Sequence, residues 1–118
     1  MRVILLAAAM IFALGSANAY ADAAAGEALF DSAKCKQCHN PSDKKKVGPG
    51  LTGIMKRTDE AWVRSWLKGA VAVWEANQGY TVELKKAMNK ADKPKPAHKT
   101  RDLTDQEISD LVDYLKTL

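Results

Sequence analysis

At 118 residues with a formal net charge of +4, the chain has room for one small domain and carries a mild basic excess. Its lysines are clustered, but no interleaving of aromatic and basic residues accompanies them, which argues against nucleic-acid binding. The two cysteines lie three positions apart, so none is left for a long-range disulfide.

In chain order, Met1-Arg2 makes a short positive start and Val3 to Leu14 an apolar run. Ala17-Asn18-Ala19 and Ala19-Tyr20-Ala21 are both small-residue cleavage patterns. The run is too short to span a bilayer, and no stop-transfer flank follows it. Residues 1–21 are therefore expected to be a secretory signal removed after Ala19 or Ala21, leaving 22–118 as one domain. No cysteine follows the signal directly, which argues against a lipid anchor there. Loss of Arg2 lowers the formal charge from +4 to +3.

A first helix is expected over Ala23 to Ala33, with Leu29 and Phe30 inward. Cys35-Lys36-Gln37-Cys38-His39 follows. Pro41, Gly48, Pro49, Gly50 and Gly53 mark 40–53 as loop. Thr58 is the expected N-cap of a helix whose stripe is Trp62, Val63, Trp66 and Leu67. A further segment is possible over Val71 to Asn77. Tyr80, Leu84, Ala87, Met88 and Ala91 form another stripe, broken by Lys93-Pro94-Lys95-Pro96. The last helix opens on the capping box Thr104-Asp105-Gln106-Glu107 and buries Ile108, Leu111, Val112 and Leu115. With no convincing β alternation, the fold class is all-α, with four to five helices.

The Cys-x-x-Cys-His run carries the chemistry. Two thiols at this spacing reach neighbouring vinyl groups of one porphyrin, and the adjacent imidazole supplies the proximal ligand to its iron. Cys35 and Cys38 are thus candidate attachment points for one haem c, and His39 its proximal ligand. The alternatives are a redox dithiol, which belongs with a βαβ context, and zinc, which wants four N/S ligands. The chain offers only Cys35, Cys38, His39 and His98, and Cys38 and His39 are adjacent. Haem attachment to thiols requires export, so motif and signal point to one compartment, the periplasm.

The order of first helix, Cys35-x-x-Cys38-His39, Val47-Gly48-Pro49-x-Leu51 and Leu111-x-x-Tyr114-Leu115 resembles class I monohaem cytochrome c over nearly the whole of 22–118. The resemblance implies that the first and last helices cross beside the haem, with Gly26, Phe30 and Tyr114 at the crossing. It implies that the Pro49 carbonyl accepts a hydrogen bond from His39, and that Arg57 binds a haem propionate. Trp62, Trp66 and Trp74 either wall the haem or fill the core; Trp74 is assigned to the core and Trp66 to the haem site. The distal ligand departs from the family. Its methionine slot, counted back from Thr104, falls at or near His98, and Lys93 to Asp102 holds no methionine. Met88 and His98 are the alternatives for the sixth ligand, with Met55 or an open site behind them.

The function expected is a periplasmic one-electron carrier: not an enzyme, monomeric, and docking other redox proteins at the haem edge through a lysine-rich rim. Lys44 to Lys46 and the stretch from Lys85 to Arg101 would supply that rim. The alternatives are a haem-based sensor with a labile distal site and a small haem subunit of a larger redox enzyme.

Overall fold

The computed structural model describes residues 22–118, so the signal expected over 1–21 lies outside the described residues. Five α-helices and one 3-10 turn follow one another, with no strand among the described residues. They are α1 (Ala23–Ser32), the turn Cys35–Gln37, α2 (Ile54–Arg57), α3 (Glu60–Glu75), α4 (Thr81–Ala87) and α5 (Asp105–Leu115).

The ends of these helices follow their side chains. Asp22 caps α1 by accepting from the Ala24 amide at 2.9 Å, and its own amide donates to Asp110 Oδ1 at 2.9 Å. The capping box of α5 is complete: Thr104 Oγ1 accepts from the Glu107 amide, and Glu107 Oε1 from the Thr104 amide. Thr58, expected as an N-cap, instead closes α2 with its amide on the Ile54 carbonyl. Asp59 caps α3, accepting from the Trp62 amide at 2.7 Å. The Asp59 carboxylate reaches a free amide of the first turn, which is what a cap requires. The separate segment expected over 71–77 is the second half of α3, which bends where Gly69 leaves helical geometry (φ −166°, ψ 77°). α4 stops before Met88 and Ala91 because Asn89 turns left-handed (φ 53°) and Lys90 donates back to the Lys85 carbonyl.

α1 packs against α5 more extensively than any other pair of elements touches. Gly26 permits this, because a Cβ there would run into the Asp110 carbonyl. Phe30 and Tyr114 close the crossing, their rings tilted by 58° with centroids 5.5 Å apart. Ile108, Leu111, Val112 and Leu115 are buried on α5. They join Phe30, Leu51, Ile54, Val63 and Leu103 in one core. Arg64 ties α3 to α5 through Ser109 Oγ at 2.9 Å.

Candidate haem site

Lys34 takes a left-handed φ of 64°, which turns the chain from α1 straight into the 3-10 turn. The amides of Cys38 and His39 both donate to the Cys35 carbonyl, at 3.1 and 2.9 Å. Two thiols and one imidazole therefore come off a single tight turn. All three line a cavity floored by Phe30, Leu111 and Leu115 at the helix crossing. Burial pushes the Cys35 thiol above its ordinary value.

His39 is held on two sides. Its Nδ1–H donates to the Pro49 carbonyl at 2.8 Å, which leaves Nε2 as the unprotonated nitrogen that could ligate a metal. Behind the ring is Gly48, where a Cβ would collide with the imidazole. The Gly48 amide donates to the Cys38 carbonyl at 2.8 Å, so the loop is stitched to the turn it supports. Burial lowers the His39 pKa, with the Pro49 hydrogen bond acting in opposition.

His98 faces His39 across the cavity, the ring centroids 6.1 Å apart. An imidazole nitrogen binds a first-row metal at about 2.0–2.1 Å, so two rings on opposite sides of one ion have centroids about 6.4 Å apart. The observed separation fits that arrangement. Burial, and then the proximity of His39, lower the His98 pKa to about 4. Both rings are thus neutral near pH 7, the form that ligates. Among the described residues no group of three or more His, Cys, Asp or Glu is placed to hold a bare ion. A porphyrin would supply the further ligands that an iron held by these two rings needs.

The other residues singled out in the sequence divide. Met88, at the end of α4, lines the same cavity as His98. Met55 packs against the core. Arg57 donates to the carbonyls of Gly50 (2.8 Å) and Thr52 (3.0 Å), bracing the loop that carries Pro49. Trp66 lines the cavity, as do Trp62 and Trp74. Trp74, assigned to the core alone, is 3% exposed and also a cavity wall. In so small a chain the core and the cavity lining are largely one surface.

The basic stretch is less uniform than its sequence suggests. Lys85 donates to the Trp74 carbonyl (3.0 Å) and Asn77 Oδ1 (2.6 Å), with its ammonium 4.7 Å from the Trp74 ring centroid. Arg101 is paired with Glu107 at 2.6 Å. Lys34, Lys90 and Lys99 border the cavity itself. Nothing in the residue pattern marks Lys85 as half-buried and engaged, whereas the Gly48-Pro49 pair is a visible signal for the imidazole support.

Comparison with known proteins agrees with this geometry. The sequence model of the Cytochrome c family matches residues 23–118. Cytochrome c2 of Rhodospirillum rubrum is 41% identical over 125 aligned residues, covering 94% of this chain and 91% of the relative. No solved structure gives a significant match. The chain belongs to the cytochrome c family as a class I monohaem member, an electron carrier with one covalently attached haem c.

Proposed function

We propose that this cytochrome carries its haem on Cys35 and Cys38, with His39 and His98 as the two axial ligands, and works as an exported, periplasmic, monomeric one-electron carrier. The observation that carries the ligand assignment is the placement of the two imidazoles across the cavity, their ring centroids 6.1 Å apart and their planes tilted by 53°. Met88 lines the cavity as well; the ring separation, which fits two imidazoles on one ion, favours His98. The haem supplies the reversible one-electron couple; the chain supplies tether, ligand field and exclusion of water.

Each chain element has a task in this reading. The Pro49 carbonyl orients His39 and raises its basicity. The tryptophans and the α1–α5 crossing wall the cavity, limiting water that would otherwise reorganise with each change of charge. A second imidazole in place of a thioether lowers the potential, because it favours the ferric state more than sulfur does. Lys34, Lys90 and Lys99 at the cavity border supply positive charge for an acidic redox partner. Among the described residues no helix is long and apolar enough to cross a membrane. No substrate is turned over.

The optical spectrum of the oxidised holo-protein tests the ligand set. Low-spin iron without the weak long-wavelength band of a ferric–thioether bond is expected. Met88→Leu should leave that spectrum unchanged, whereas His98→Met should bring the band in and raise the potential. A thioether band in the wild type, lost in Met88→Leu, would refute the assignment.

A further inference from the structure

The two imidazoles are secured by different means. His39 has a backbone carbonyl on Nδ1 and a glycine backing its ring. His98 sits in the coil between Lys93 and Thr104 and is met by an aromatic ring: Trp66, with centroids 5.2 Å apart and planes tilted by 60°. Trp66 is itself fixed from behind. Its ring stacks on Trp62 at 5.0 Å and 16°. The Trp62 Nε1–H is shared between the Gln78 carbonyl (2.9 Å) and Thr81 Oγ1 (3.1 Å). Thr81 is fully buried and donates its own hydroxyl to Gln78 at 2.6 Å. Tyr80 closes the array edge-on to Trp62 at 5.1 Å. The rigidity of a buried, hydrogen-bonded threonine thus passes through two stacked indoles to His98.

Beside this array lies an open groove. Trp66 and His98 border it together with Lys68, Gly69, Val71 and Arg101, where α3 bends at Gly69. A displaced His98 has space to enter on that side. We propose that Trp66, backed by Trp62, is the positioning residue that keeps His98 at the sixth site and so limits access of small external ligands, anions of the cyanide class and free azoles. This rests on the reading of His98 as the sixth ligand.

The test uses the ferric holo-protein and cyanide. Trp66→Leu should bind cyanide about tenfold more tightly, the ratio a single aromatic contact of ordinary strength can set. Its reduction potential should move as well, and Trp66→Phe should restore both properties toward wild type. A role in folding alone would lower thermal stability in both variants without this split. Wild-type cyanide affinity and potential in a folded Trp66→Leu would overturn the proposal. Should that variant not fold, Trp62→Leu, which leaves Trp66 in place but unbacked, must show the same rise in affinity or the proposal falls. His98→Ala separates the two readings. If it keeps the wild-type low-spin spectrum, the ligand assignment itself fails, whatever Trp66 does.

Discussion

Replacing Gly26 with alanine sets two effects against each other. In an unpacked helix alanine is better than glycine by about 0.8–1.0 kcal/mol. At this position, however, the new Cβ would strike the Asp110 carbonyl and lie 2.8 Å from Tyr114 Cβ. Those atoms belong to the α5 backbone or are one bond from it, so a rotamer change cannot relieve the contact and α5 must move. Crowding of a close-packed contact costs about 1–3 kcal/mol. Displacing α5 also loosens the Phe30–Tyr114 pair, worth about 0.5–1.5 kcal/mol. Crowding wins, and a net loss of about 0.5–4 kcal/mol is expected. Because Phe30, Leu111 and Leu115 floor the cavity, the loss is felt at the haem too. Urea unfolding of the ferric holo-protein, followed by helical circular dichroism, should show a lower midpoint at unchanged slope. Ala28→Gly, at an exposed α1 position, is the control and should lose only the propensity difference. A Gly26→Ala variant as stable as wild type, or more so, would refute the reasoning that close backbone approach holds this crossing.

Other expectations concern the loops and the surface. Arg57→Gln removes two hydrogen bonds to the Gly50 and Thr52 carbonyls and should cost about 1–3 kcal/mol of stability with little change in potential. A large potential shift without loss of stability would mean that the guanidinium serves the haem instead. Glu107 is held down to about 2 by the Arg101 guanidinium first and the Thr104 amide next. A carboxylate depressed in the folded state stabilises it above the ordinary value of 4.5, and this contribution is lost as pH falls toward 2. The stability gap between wild type and Glu107→Gln should therefore shrink over that window in acid unfolding; a constant gap would contradict the pairing. Replacing Lys34, Lys90 and Lys99 together by alanine should slow electron exchange with an acidic redox partner by about tenfold or more at low ionic strength. The salt dependence should flatten in parallel; an unchanged rate and slope would remove these lysines from the docking surface.

Much of the site was legible along the chain because its signals are local. Cys35, Cys38 and His39 are neighbours in one turn, and the covalent attachment depends on that spacing alone. The Thr104–Glu107 box and the apolar stripe of α5 are likewise written within a few residues of each other. Thr58 and Asp59 show where locality fails at its finest scale. Both are good caps, and only the path of the backbone decides which oxygen meets a free amide.

The tertiary structure decided what depends on residues far apart in sequence. Lys85 looks like one more surface lysine until Trp74 and Asn77 close around it. Nothing along the chain shows that the Arg57 guanidinium reaches back to the Gly50 and Thr52 carbonyls. The proposed sixth ligand rests on the same kind of information. Met88 and His98 are both credible by residue type, which carries neither the distance nor the direction of the donor atom. A ligand is chosen by the distance and direction of its donor atom from the iron, and those are properties of packing. The fold sets the His98 ring 6.1 Å from His39 and against Trp66, through contacts that span more than 30 residues of intervening chain.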